Sequence, residues 1–308
     1  MSQNSRSDDK LSVIIVTYNR CNDLRDSLDA LCSMNVAPLE IIVVDSNSSD
    51  GTRELVKNYP VKFITIKERS MVRARNVGLN QAKGDIVAYV DDDAIVSKDW
   101  SKHILEAYIS EEVGGVGGRV LSLGNSGNTL DVPEKYRSIG KLFDNGFVSN
   151  NYDIAVQSPI EVDVLIGCNM SFRRKLLLAV EGFDENFKGS CFRDDTDAST
   201  RVKRLNCKLV YSPKALVWHK YKGKKIDRNW FYWYSYNHFY FCFKNLQPIN
   251  ITKFINLMRG AFLPPRGYVK KSGIALKPDP LVAITVINGI LAANKTYKTN
   301  HCKKGEPQ

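Results

Sequence analysis

Residues 84–93 read Gly84-Asp85-Ile86-Val87-Ala88-Tyr89-Val90-Asp91-Asp92-Asp93. From Asp85 to Val90 the side chains are mainly β-branched, aromatic or small, as in a buried strand, and Gly84 marks its start. Three carboxylates follow at once. Acids crowded at a strand end repel one another and resist burial, so water must solvate them or a cation must neutralise them. Carboxylate oxygens are hard ligands suited to magnesium or manganese. A divalent ion held there can in turn hold a pyrophosphate. Taken alone, the stretch reads more simply as an acidic turn on a solvated edge. A metal and nucleotide clamp made by Asp91 and Asp93 needs support from the rest of the chain.

Upstream, Leu11 to Val16 is a β-branched apolar run broken by Thr17-Tyr18-Asn19-Arg20. It predicts a first strand whose carboxyl end faces a ligand. Asn22-Asp23 can cap a helix to Met34, with Leu24, Leu28 and Leu31 at helical spacing. Glu40 to Asp45 predicts a second strand, followed by the turn Ser46 to Gly51 and a helix to Asn58. Val61 to Lys67 predicts a third strand and Ser70 to Ala82 a helix. Strand and helix alternating at this spacing mean a parallel α/β sheet with helices on its faces. Ligands of such sheets sit at the strands' carboxyl ends. Asp45 and the Asp91–Asp93 cluster both stand there, which favours the functional reading.

Downstream, Asp99 to Glu112 predicts a helix. Val113 to Leu123 carries Gly114-Gly115 and Gly117-Gly118, does not fit Gly-x-Gly-x-x-Gly, and reads as a tightly packed sheet segment. Asn125 to Pro159 is polar and irregular, a variable, mobile loop. Val162 to Ile166 predicts a strand, and a helix to Val180 follows. Asp194-Asp195-Thr196-Asp197 opens another helix, where acids favour the N-terminal dipole. Val210 and Ala215 to Trp218 predict short strands ending at His219.

The chain has 308 residues, 43% hydrophobic and 25% charged, enough for a full core. Its net charge of +11 points to an anionic partner. The seven cysteines are dispersed without Cys-x-x-Cys, and residues 1–10 are polar, a disordered leader with no signal peptide. These features predict a cytoplasmic protein. After His219, residues 220–308 become basic and aromatic. Lys220, Lys222, Lys224, Lys225 and Arg228 precede Trp230 to Tyr234 and Phe239 to Phe243. The Leu281 to Ala293 run is shorter than the roughly 20 apolar residues of a membrane span. This extension is expected to be helical, and either lies on an anionic bilayer surface or packs on the preceding domain.

The ordered set of pieces resembles the family 2 glycosyltransferases. It comprises Val13 to Arg20, Ile42 to Thr52, Arg73 to Leu79, Asp91-Asp92-Asp93, Phe172-Arg173-Arg174, Gly182 to Glu185, Asp194 to Asp197 and Val217-Trp218-His219. Single pieces are weak, but their order over residues 11–219 is specific. The resemblance implies a GT-A, nucleotide-diphospho-sugar transferase fold over that span. It implies a nucleotide-sugar donor, a Mg2+ or Mn2+ cofactor, and a glycan or lipid-linked acceptor.

On the family's pattern, Thr17, Tyr18, Arg20, Asp45, Arg75, Asn76, Asp91 and Asp92 surround the nucleotide sugar. Asp93 binds the metal directly, Asp91 holds metal or ribose, and His219 is a further ligand. Asp195 is the general base that takes the acceptor hydroxyl's proton. Asp194 shares the catalytic acidic group, with Asp where the family usually has Glu. The reaction implied is a single displacement with inversion at the anomeric carbon.

Rival readings are a nucleotidyltransferase and a catalytically inactive protein that binds glycans or membranes. A dinucleotide-dependent dehydrogenase lacks support, because no glycine-rich turn follows the first strand. Nucleic acid is not an expected partner, since the basic residues gather beside apolar runs and no such motif is present.

Overall fold

The computed structural model describes residues 9–123, 138–220, 227–262 and 280–304. The first half alternates as the spacing predicts: β1 (Leu11–Thr17), α1 (Cys21–Cys32), β2 (Glu40–Asp45), α2 (Thr52–Val56), β3 (Lys62–Thr65), α3 (Met71–Gln81) and β4 (Ile86–Val90). Then come β5 (Ala94–Val96), α4 (Trp100–Glu106), β6 (Val113–Ser122), β7 (Ile139–Leu142), β8 (Val148–Asn150), β9 (Ile160–Val162) and β10 (Asn169–Arg173). The remainder is α5 (Arg174–Ala179), α6 (Asp194–Lys203), β11 (Lys208–His219), α7 (Arg228–Asn245), α8 (Ile251–Phe262) and α9 (Pro280–Lys304).

The main sheet runs β3-β2-β1-β4-β10-β6-β11-β5, with β9 pairing β11. β3, β2, β1 and β4 are parallel to their neighbours, as are β6 and β11. β10 runs against both β4 and β6. The central strands β1, β2 and β4 are mainly apolar because both faces of the sheet are covered there. Ile14, Ile42, Val44, Val87 and Tyr89 enter one core, shared with α3 and α6. Val13, Ile15, Val43, Ile86 and Val90 enter the other, shared with α1 and α4. Successive side chains on a strand alternate faces, so one run of sequence supplies both cores.

Several boundaries differ from the sequence expectation. Of residues 162–166 only Val162 is in a strand, as the end of β9; the central return strand is β10, whose polar Asn169 and Ser171 are buried and bonded inward. Asn169 accepts from Trp100 Nε1 at 2.9 Å and donates to Ala215 O at 2.9 Å. Polar residues satisfied in this way defeat an apolar-run criterion. Residues 138–159 of the expected loop include the β7–β8 hairpin, turned at Asn145-Gly146, a hairpin signal the polar composition masked. Residues 125–137 of that loop lie outside the described residues, as do residues 1–8 of the leader. The two strands expected around Val210 and Ala215 are one bulged strand, β11. The predicted helix from Asp99 closes early, as α4. The paired glycines fall within β6, where a Cβ on Gly118 would stand 1.9 Å from Ala215 O.

The aromatic run after His219 is interior. Phe231, Tyr234, Phe239, Tyr240 and Phe241 of α7 join the core that contains Ile14 and Tyr89. α9 adds Val286, Ile290 and Ala293 to the same cluster. Each buried aromatic of this kind contributes about 2 kcal/mol through removal from water. Ile251, Ile255, Leu281, Ile284, Ile287 and Leu291 on α8 and α9 remain exposed. Among the described residues no helix is long and apolar enough to cross a membrane. Lys222, Lys224 and Lys225 of the basic cluster lie outside the described residues, as do the lysines at 270, 271 and 277.

Candidate active site

Sheet topology gathers the acids. β1, β2 and β4 are parallel, so Thr17, Asp45 and Asp91 all emerge at one edge, with Thr17 opposite Asp45. After the acids the chain returns as β5, which pairs β11 in a register that sets His219 against Ala94. That register brings the His219 imidazole to the acidic loop. β10 pairs Asn169 with Val90, so the preceding residue, Cys168, lies beside Asp91.

The three acids have distinct environments. Asp92 is buried and accepts from Thr17 Oγ1 at 2.8 Å and Arg20 Nη1 at 3.1 Å. Burial pushes its carboxyl up to about 7, against the pull of Arg20. Asp93 accepts from Arg20 Nη1 at 2.7 Å and lies 3.2 Å from His219 Nε2. Burial acts to raise Asp93, but His219 and Arg20 outweigh it and hold the group below its ordinary range. Asp91 keeps 31% of its side chain exposed, 3.6 Å from His219 Nε2. Burial acts to lower the imidazole, yet its bonds to Asp91 and Asp93 raise it to about 9. Arg20 and His219 thus supply positive charge to a cluster that a dication also suits. Hard carboxylate oxygens and one imidazole fit magnesium or manganese.

A second acidic group stands at the start of α6. Arg193, at φ 78°, turns the chain into the helix, and Asp194, Asp195 and Asp197 occupy its first turn. Asp194 is buried against Arg75, with Nη1 at 2.5 Å. Arg75 Nη2 also reaches Asp91 at 3.6 Å. Burial raises the Asp194 carboxyl despite this pairing. Burial acts to lower the Arg75 guanidinium, and the charges of Asp194, Asp91 and Asp195 more than offset it. Asp195 stays partly exposed. Its Oδ2 accepts from the Gly167 amide at 3.0 Å and its Oδ1 from the Thr196 amide at 2.6 Å. A Cβ at Gly167 would crowd Arg75 at 3.1 Å and Asp195 at 3.4 Å, so glycine permits this close approach.

The remaining expected site residues divide. Asp45 is buried at its strand end and bonds the Ser48 amide at 3.0 Å and hydroxyl at 2.5 Å, shaping the loop after β2. Tyr18 stacks under the Arg69 guanidinium at 4.3 Å. Asn76 is spent elsewhere: it exchanges two 2.8 Å bonds with the Phe183 backbone. Asp92 is likewise committed to Thr17 and Arg20. Cys168 was not expected at the site, because no motif marks it and only the antiparallel return strand brings it there. A cavity of about 330 Å³ at the other end of the sheet is lined by Asp9, Lys83, Arg173 and Lys175. There Arg173 pairs with Asp9 at 3.2 Å, and Lys175 with Glu111 at 2.7 Å.

The family model for glycosyl transferase family 2 matches residues 12–180, more than half of the chain. The chain belongs to this family. As a family 2 glycosyltransferase it is 24% identical over 231 residues to the glycosyltransferase GlyA of Streptococcus pneumoniae, covering 72% of this chain and 32% of that protein. It is 24% identical over 245 residues to a glucosyl-dolichyl phosphate glucuronosyltransferase of Haloferax volcanii, covering 74% of this chain and 76% of that protein. This glycosyltransferase therefore spans about a third of the length of the first relative and three quarters of the second. Its fold is GT-A: it superposes on a mannosyltransferase from Pyrobaculum calidifontis, solved with GDP-Man and Mn2+, with a TM-score of 0.59. That match covers 97% of this chain and 85% of the other at 20% identity.

Proposed function

We propose that this glycosyltransferase moves a sugar from a nucleotide-sugar donor to a glycan or lipid-linked acceptor, with inversion and with a divalent metal. The observation that carries this reading is Arg75, which contacts both Asp91 of the donor-side cluster and Asp194 beside Asp195. One buried cation thereby fixes the metal-binding acids relative to the partly exposed carboxylate of Asp195.

Asp93, Asp91 and His219 would hold the ion. When bound, it offsets negative charge on the departing nucleoside diphosphate. Thr17, Tyr18, Arg20 and Asp45 line the edge that receives the nucleotide. Asp195 takes the acceptor hydroxyl's proton as the oxygen attacks the anomeric carbon and the bond to the diphosphate breaks. The Gly167 and Thr196 amides orient that carboxylate. Asp194 positions the helix start through Arg75 and does not face the acceptor. A lipid-linked acceptor is supported by the exposed aliphatic residues of α8 and α9, by the +11 charge, and by the glucosyl-dolichyl phosphate in the relative's name. On this reading the protein works peripherally at the cytoplasmic face of a membrane.

Incubating the purified chain with a panel of nucleotide sugars, with and without Mn2+ or Mg2+, tests the reading. The expected result is metal-dependent release of a nucleoside diphosphate from one donor, with the product's anomeric configuration inverted by NMR. Release of pyrophosphate from a nucleoside triphosphate, or retention of configuration, overturns it. Binding to anionic vesicles that falls with added salt tests the membrane placement.

A further inference from the structure

The donor-side cluster contains a thiol to which the transfer mechanism gives no part. One carboxylate oxygen of Asp91, Cys168 Sγ and one imidazole nitrogen of His219 all lie within 4.8 Å of one another. Among the described residues the other buried thiols are engaged locally: Cys191 Sγ donates to Phe187 O at 3.7 Å, and Cys242 Sγ contacts His238 at 3.5 Å. Cys168 instead faces the acids. We propose that Asp91, Cys168 and His219 form a three-ligand site for a thiophilic divalent ion, zinc foremost, which competes with magnesium or manganese for this cluster.

Three features carry this. The donor types match, since zinc takes cysteine sulfur, histidine nitrogen and carboxylate oxygen together, most often in a tetrahedron. The spacing is close to that required. Ligand atoms about 2.0–2.3 Å from a tetrahedral ion stand roughly 3.3–3.7 Å apart. His219 Nε2 and Asp91 Oδ2 are already 3.6 Å apart, so the gathering requires shifts on the order of 1 Å. The scaffold is rigid at all three points: Asp91 ends β4, Cys168 precedes β10, and His219 ends β11, in one hydrogen-bonded sheet. Three protein ligands leave a fourth position open to water or a diphosphate oxygen. As zinc binds, the thiol proton and the imidazolium proton of His219 both pass to solvent, so thiolate and carboxylate together balance the dication beside a neutral imidazole. A site of oxygen and imidazole alone ranks these ions less steeply than one that includes sulfur.

The proposal is tested without any transfer assay, so its outcome is independent of the proposed function. The chelator-treated full chain is titrated with Co2+ as a spectroscopic substitute for zinc. A near-ultraviolet thiolate-to-cobalt band is expected, lost on adding Zn2+. It should vanish in Cys168→Ser and persist in Cys32→Ser and Cys207→Ser, which alter thiols outside the cluster. His219→Ala should weaken zinc binding by roughly 10–100-fold or more, because even an outer partner of a metal ligand is worth that much. X-ray absorption of the zinc-loaded wild type needs no variant, and should show one sulfur at about 2.3 Å. No sulfur in that shell, a cobalt band that survives in Cys168→Ser, or a band removed by Cys32→Ser or Cys207→Ser overturns the proposal.

Discussion

Arg75 Nη1 lies 2.5 Å from Asp194 Oδ2, and both side chains are closed to water, at 3% and 5% exposure. A buried pair contributes little net stability when compared with apolar residues, but removing one partner strands the other charge. Arg75→Met should therefore lower the unfolding free energy by about 3–5 kcal/mol. Arg75→Met combined with Asp194→Leu should recover part of that loss. Urea denaturation of the three proteins measures this, and an unchanged midpoint in Arg75→Met refutes the pairing.

Asp195 differs from its neighbour in what its loss removes. Its carboxylate is partly exposed, and its hydrogen bonds come from the Gly167 and Thr196 amides and the Thr196 hydroxyl. Asp195→Asn should cut kcat by about 10²–10⁴-fold, the usual loss of a general base. Donor affinity should stay near that of the wild type. Asp194→Asn should act mainly on stability through Arg75. Initial rates beside thermal melts of both variants separate the two roles. Unimpaired turnover in Asp195→Asn removes it from the reaction.

The strand–helix alternation up to Asp93 was legible because most of its strands are short runs rich in β-branched and apolar residues bounded by polar turns. The order of acids at the sheet edge was legible for the same reason, since parallel strands deliver their carboxyl ends to one side. β10 was not legible, because Asn169 and Ser171 are buried polar residues whose partners, Trp100, Ala215 and Val116, are distant in sequence. Missing β10 meant missing Cys168, which only that strand places beside Asp91. The bonds of Asn76 were hidden for a related reason: its side chain braces the Phe183 backbone across 107 residues, a contact that no local pattern marks. The α7 aromatics were equally compatible with a surface or an interior helix. No single face of that helix is apolar, so periodicity could not decide, and burial on several sides did.

Asp93 shares Arg20 with Asp92 and meets His219 at 3.2 Å, so it combines proximity to the imidazole with the more strongly ionised carboxylate of the two. Asp93→Asn should weaken Mn2+ binding by at least about 10–100-fold, since a direct ligand is worth no less than its outer partners. Asp92→Asn should weaken it less, because that side chain faces Thr17 and Arg20. Calorimetric titration of Mn2+ into the nucleotide-bound variants compares them. Equal losses would place both acids on the ion.

Asp184 anchors α7 to the loop before α6: Lys244 Nζ lies 2.7 Å from its Oδ2, and Tyr240 donates to the same oxygen at 2.9 Å. Lys244 also reaches Asp197 of α6 at 3.0 Å. Burial acts to raise the Asp184 carboxyl, but Lys244 and then Asn186 outweigh it and bring it down from 3.8 to about 2. A carboxyl lowered in the folded state stabilises it fully above the unfolded value. That stabilisation is lost as pH falls through the folded value. The difference corresponds to about 2 kcal/mol, with close to half gone by about pH 3. Asp184→Asn should be less stable near neutrality and should lose less on acidification across about pH 4 to 2. Urea midpoints of both proteins through that window decide the matter, and parallel curves would show that Lys244 does not hold this carboxylate.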